Sequence, residues 1–380
     1  MSTIPRISLV TSVAMAAIAS GPAYAQSMSR GVLLSSSPLI GAPAGASAYL
    51  IRYQSLGVSR ERNQVTGVII IPNGQAPQGG REVVAWAHGT SGVAESCAPS
   101  SSAQLFPSIA GLDAMLAAGY AVVATDYAGL GSPGPHAYLG GNGAAYAVLD
   151  SIRAAREFGR GSISNRFAVW GESQGGHAAL WTAQFASGYA PELQLVGVAA
   201  AAPPTDLKEN LTGGTNPLIK ALLTAYTSIS WSKSYNIPLS TILRPRGQDL
   251  ATRLARNCVS TDPVALRTKV GLFRFARTLA NVDISQSPRW AEQLANNSVQ
   301  ADGFSVPALI AQGSADPIVA PQVTLNFAQN LCRQRSVPVK YVAIEGGDHF
   351  SIGKRSADTT LAWIADRFAG LTPPNDCGNL

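Results

Sequence analysis

The chain is short of cysteine, histidine and charge, and beyond its first residues it has no long apolar run. Its four cysteines, Cys97, Cys258, Cys332 and Cys377, are scattered over 380 residues. None of them shows the C-x-x-C spacing of a zinc or thioredoxin-type site, so no metal centre is expected. Charged residues make up 13% of the sequence and hydrophobic residues 46%, which excludes a disordered chain and describes a packed globular one. The net charge is +6, but the basic residues gather in no run and accompany no recognised binding module, so nucleic acid is not an expected partner. After the N-terminus no uncharged apolar stretch is long enough for a transmembrane segment. No internal repeat is present.

What the first residues do contain is an export pattern. Arg6 gives a short positive region, Ile7 to Ala19 an apolar one, and Ala23-Tyr24-Ala25 a small-residue cleavage site. Residues 1–25 are predicted to be a signal peptide cleaved before Gln26, which makes the protein secreted or periplasmic. In an oxidising compartment four cysteines predict two disulfides, and their spacing leaves all three connectivities open.

A polar, Gly/Ser/Pro/Ala-rich lead runs to about Ala46, followed by two β-like runs, Tyr49–Tyr53 and Val65–Ile71, read as an antiparallel pair. From Glu82 the pattern alternates. Strands are predicted at Val83–Ala87, Tyr120–Thr125, Phe167–Trp170 and Leu195–Ala199, with helical spacing at Ile109–Ala118, Ala145–Phe158 and after Ser173. Repeated βα units predict an α/β fold with a mostly parallel sheet and helices on both faces, which carries its chemistry at the carboxyl ends of the strands. The rhythm stops at Pro203-Pro204 and resumes at Val306–Ala311, continuing with a helix near Val323–Arg333, a strand at Val339–Ile344 and a last helix near Asp358–Ala369. The intervening stretch is too long for a connecting loop. The mature chain is therefore divided into a first core part, 26–204, an inserted helical cap or lid, 205–303, and a second core part, 304–380. An alternative for the apolar helix Pro217–Trp231 is plain packing on the main domain.

Gly171-Glu172-Ser173-Gln174-Gly175 stands where an apolar strand turns into a small-residue helix. That context makes a G-x-S-x-G a nucleophile elbow, with Ser173 as the candidate nucleophile. A serine hydroxyl needs a base and a group to orient that base. Of the four histidines, His349 follows a late strand and comes after Ser173 and an acid in chain order, so it is the candidate base. Asp316, just past the preceding strand, is the candidate orienting acid, against the commoner role of an Asp-Pro turn starter. Oxyanion donors are expected at the backbone of Gln174 and in the His88-Gly89-Thr90 turn, where Gly89 and Thr90 cannot be separated. His88 reads as a turn residue, His177 as packing at the pocket edge, and Glu172 first as a solvated surface acid and second as a charge supporting the site from behind.

Trp86–Thr90 followed by Cys97-Ala98-Pro99-Ser100, the run Tyr120–Gly131, the elbow, Gln312–Val319, and Thr372-Pro373-Pro374 followed by Cys377-Gly378 together resemble the secretory lipase family of α/β-hydrolases. The resemblance covers residues from about 80 to the end. It implies an α/β-hydrolase core, a helical cap inserted before the strand that carries the acid, and hydrolysis of carboxylic esters including acylglycerols. It also implies the pairs Cys97 with Cys258 and Cys332 with Cys377. Fungal members carry a longer tail near the active-site entrance; here the sequence ends soon after Cys377, and a more open pocket suited to short-chain or aryl esters is the expectation.

The sequence thus predicts a secreted esterase or lipase with no metal and no organic cofactor. Its partner is an ester substrate, small-molecule or lipid, with transient contact at a lipid interface. The alternatives are a serine peptidase or other acyl hydrolase on the same fold, and a non-catalytic binding protein. Eight basic residues between Thr241 and Ala280 (Arg244, Arg246, Arg253, Arg256, Arg267, Lys269, Arg274, Arg277) read first as a solvated helix surface and second as a docking face for an anionic interface.

Overall fold

The computed structural model describes residues 30–212, 216–259, 266–279, 282–334 and 337–380. The predicted signal peptide and its cleavage site lie outside them, as does the side chain of Arg267. Among the described residues nine strands form one sheet: β1 Leu33–Leu39, β2 Ala46–Leu56, β3 Arg62–Pro72, β4 Arg81–Ala87, β5 Ala121–Thr125, β6 Ile163–Glu172, β7 Gln194–Ala201, β8 Ala308–Gly313 and β9 Val339–Ile344. Their order is β1-β2-β3-β5-β4-β6-β7-β8-β9. The first three run antiparallel, β3 meets β5 antiparallel, and from β5 onward every pairing is parallel.

The helices are α1 Leu105–Ser108, α2 Leu112–Ala117, α3 Gly141–Gly159, α4 Gln174–Tyr189, α5 Leu207–Thr212, α6 Pro217–Ser234, α7 Pro245–Leu254, α8 Leu266–Leu279, α9 Pro288–Asn297, α10 Pro321–Gln334, α11 Ile352–Arg355 and α12 Ala357–Phe368. Strand alternation sorts them onto two faces. Val83, Ala85, Phe167 and Val169 point into a core shared with α3, α4 and α10. Val84, Trp86, Ala168 and Trp170 point into one shared with α1, α2 and α12. On that second face Trp86 and Trp170, paired across β4 and β6, meet edge to face at 5.2 Å.

Two elements differ from the sequence expectation. Strand β1 lies in the stretch read as a polar lead. Its interior residues are exposed on both faces, so it has no apolar period to betray it, and backbone pairing with β2 defines it. The predicted helix Ile109–Ala118 begins only at Leu112, as α2, because Gly111 before it has a left-handed φ of 67°; the separate short helix α1 already ends at Ser108.

Between β7 and β8 the described residues form α5 to α9, with a hydrophobic cluster of their own built on Tyr226, Trp231, Phe275 and Trp290. Helix α6 starts where Asn216 accepts from the Leu218 and Ile219 N–H groups and Pro217 fills a position that needs no donor. The apolar face of α6 is buried against its neighbouring helices and against Tyr138 and Leu139 of the loop after β5. The basic residues other than Arg267 are exposed. Disulfides join Cys97 to Cys258 and Cys332 to Cys377. The first ties the loop after β4 to the residues after α7, and the second ties α10 to the C-terminal segment.

Candidate active site

The elbow follows from crowding. Ser173 sits between β6 and α4 with φ 52° and ψ −120°, a conformation that costs a non-glycine residue ~1–3 kcal/mol. Neighbours hold it there: its N–H donates to Ala201 O at 2.8 Å, and its carbonyl accepts from His177 N–H at 3.0 Å. A β-carbon on Gly171 would overlap the Gly175 carbonyl, and one on Gly175 would overlap the Ala87 carbonyl oxygen at the end of β4. Only hydrogen fits at both positions, so the two glycines allow the turn to close.

Parallel strands bring the other groups to the same edge. His349, in the loop after β9, has Nε2 2.8 Å from Ser173 Oγ and Nδ1 2.7 Å from Asp316 Oδ2. Asp316, just past β8, is buried. Its other oxygen, Oδ1, accepts from the N–H groups of Ile318 (2.8 Å) and Val319 (2.9 Å). Turn starter and histidine partner are therefore not alternatives, because one carboxylate does both with different oxygens. Gln312, which the sequence did not single out, donates through Nε2 to Asp316 Oδ2 at 3.2 Å and to Val319 O at 3.2 Å, and Thr324 Oγ1 fixes its Oε1 at 2.8 Å. Phe350 beside His349 is 74% exposed, its ring edge-on to the imidazole at 5.7 Å.

Of the proposed oxyanion groups, Gln174 directly follows the serine, and Gly89 lies against Glu172, the residue before the serine. Gln174 is the first residue of α4, so its N–H has no carbonyl one turn back to receive it. In the facing turn, burial lowers the pKa of His88 and keeps the ring neutral. A neutral ring has one N–H, and the 2.6 Å contact from Nδ1 to Gly89 O, shorter than the 3.3 Å from Nε2 to Asp126 O, assigns it to Nδ1. With the Gly89 carbonyl fixed, the trans peptide aims the Thr90 N–H the opposite way. The Thr90 hydroxyl lies 2.9 Å from the Tyr138 hydroxyl.

Two residues sit elsewhere than expected. His177 is fully buried instead of lining a pocket edge, with Nε2 2.7 Å from Asn297 O at the end of α9, and burial pushes its pKa down to about 4. Glu172 is half-buried instead of solvated, its carboxylate wedged against Gly353 and near Gly89. Burial raises its pKa, opposed by His349 and Lys354. Periodicity could not reveal either placement, since each depends on a contact from a distant element. His136, to which the sequence assigned no role, is buried and in contact with the Gln174 side chain.

Residues 108–376 match the model of the family described as secretory lipase. The chain belongs to the secretory lipase family. Ser173, Asp316 and His349 all fall inside the matched stretch of this secretory lipase family member, whereas Gly89 and Thr90 precede it. Among similar proteins, the "Probable inactive lipase" of Mycobacterium tuberculosis is 27% identical over 267 residues, covering 68% of this chain and 57% of its own length. This chain thus spans little more than half of that relative. The solved structure of Candida antarctica lipase A superposes with a TM-score of 0.73 at 21% identity, over 92% of this chain and 84% of that one. The rice cell wall degrading esterase LipA from Xanthomonas oryzae superposes with a TM-score of 0.68 at 22% identity, over 90% of this chain and 98% of that one. These superpositions establish an α/β-hydrolase fold.

Proposed function

We propose that the protein is a secreted serine hydrolase that cleaves carboxylic esters, as an esterase or lipase, through an acyl-enzyme on Ser173. The observation that carries the reading is the unbroken hydrogen-bond chain from Ser173 Oγ through His349 to Asp316. As Ser173 Oγ attacks the ester carbonyl carbon, His349 Nε2 takes its proton. Asp316 holds the Nδ1–H tautomer and stabilises the imidazolium, remaining ionised itself. The carbonyl oxygen becomes an oxyanion, received by the N–H of Gln174 and one from the Gly89-Thr90 turn. His349 then protonates the leaving alcohol, and a water molecule activated by the same base releases the acid and restores Ser173. This chemistry needs neither metal nor organic cofactor. Residues 205–303 act as a cap over the strand ends, and substrate selection falls to them.

The "inactive" in one relative's name raises the second reading, a binding protein on a hydrolase scaffold. The filled and mutually bonded Ser173, His349 and Asp316 favour catalysis. A series of p-nitrophenyl esters of increasing chain length, run beside emulsified triglyceride and a peptide amide panel, tests the assignment. Turnover of the shorter esters is expected. Preferential cleavage of the peptides would replace the esterase reading with a peptidase one, and no turnover of any substrate would favour the binding protein.

A further inference from the structure

The loop between β5 and α3 carries a three-residue strap, His136-Ala137-Tyr138, that touches both sides of the oxyanion site. His136 is buried with its pKa pushed down to about 4, so its ring is neutral. Nδ1–H donates to Ala128 O at 3.0 Å, which leaves Nε2 to accept from the Gln174 side-chain amide at 3.1 Å. Two residues on, the Tyr138 hydroxyl meets Thr90 Oγ1. Burial pushes the Tyr138 pKa up to about 12, so the phenol keeps its proton. The same strap is held from the other side by α6. Ser230 Oγ donates to His136 O at 2.6 Å and accepts from Tyr138 N–H at 2.7 Å, and Trp231 Nε1 donates to Tyr138 O at 2.7 Å. Three bonds from α6 thus fix a segment whose two side chains fix Gln174 and Thr90.

We infer that His136 and Tyr138 are positioning residues that couple α6 to the oxyanion donors, so that the seat of this helix sets transition-state stabilisation on the far side of the strap. The inference rests on the reading of Gln174 and the Gly89-Thr90 turn as oxyanion donors. The physical reason is that such donors work only when pre-aimed, and a small displacement of either costs rate without costing ground-state binding. A plain brace would instead lower the fraction of folded protein and leave each folded molecule at full speed.

The test measures kcat and KM on p-nitrophenyl butyrate, with kcat counted per serine titrated by a fluorophosphonate. Tyr138→Phe keeps the ring in its apolar cluster and removes only the hydroxyl. It is expected to lower kcat about tenfold with KM held within about twofold. Thr90→Val should match it, and the double variant should be no slower than either single one, because both remove the same bond. His136→Phe should lose a similar factor, which His136→Gln recovers by presenting an acceptor. Ser230→Ala, on α6, should lower kcat in the same way. Tyr138→Phe at the wild-type kcat per titrated serine overturns the coupling, as do additive losses in the double variant. A wild type that is titrated by the fluorophosphonate yet turns over no ester sinks the hydrolase reading and this inference with it. An active wild type whose strap variants are unaffected sinks only the inference.

Discussion

At the strand edge, Asp316 is bound by four donors from its own loop, from β8 and from His349, and the elbow glycines are pressed against backbone. On the α6 side the corresponding grip is made by neutral side chains, Ser230 and Trp231, on the carbonyls and N–H of one short strap. The first region is fixed by backbone geometry that leaves no room for another residue. The second is fixed by a few hydrogen bonds, each worth ~1 kcal/mol net, which a modest shift of α6 would release. Under the proposed function, chemistry rests on the region held largely by backbone, and tuning on the region held by side-chain hydrogen bonds.

The sharpest way to break that contrast is Asp316→Asn. The amide oxygen can still accept from Ile318 and Val319, so the turn survives, but the charged partner of His349 is gone. A kcat loss of about 10³–10⁴-fold is expected with little change in thermal midpoint; a drop in stability with near-normal kcat would reduce Asp316 to a turn starter. Next is Gly175→Ala, whose β-carbon has no space beside the Ala87 carbonyl. It should lower the thermal midpoint and remove most activity, at a cost of at least ~1–3 kcal/mol. Tolerance of alanine there would show that the strand edge is less rigid than described.

A smaller effect concerns pH. Burial takes His136 and His177 from 6.5 to about 4. Between these values the unfolded chain binds more protons than the folded one, so their contribution is whole above about pH 6.5 and declines as pH falls toward about 4. The share of each ring is at most ~3 kcal/mol. Buried Asp126 and Asp150, whose pKa values are raised by desolvation, slope the other way. Urea midpoints of wild type and His177→Gln across that window separate the two, since the variant should lose part of the decline; parallel curves would deny that His177 stays neutral when folded.

The sheet was legible because strand period and glycine punctuation are local signals. Val339–Ile344 is both the predicted run and the observed β9, and parallel pairing alone carries the ends of β6, β8 and β9 to one edge, where the structure brings Ser173, Asp316 and His349 into hydrogen-bonding contact. Strand β1 was not legible, because a strand exposed on both faces needs no apolar alternation. Nor were the strap contacts. His136 and Gln174 are 38 residues apart, and Tyr138 and Ser230 are 92 apart. A neutral hydrogen bond between such residues leaves no mark in composition or spacing. Gln312 stood just past the predicted strand Val306–Ala311, where nothing in the sequence tied its amide to Asp316; the observed β8 runs on to Gly313 and includes it.

The most direct measurement of the central claim is covalent labelling of wild type and Ser173→Ala with a fluorophosphonate, read by peptide mass beside hydrolysis of p-nitrophenyl butyrate. Wild type should gain one adduct, on the peptide that contains Ser173, and lose hydrolysis in step with labelling. Ser173→Ala, with an unchanged circular dichroism spectrum, should show neither. Labelling at another residue, or turnover that persists in Ser173→Ala, would contradict the account.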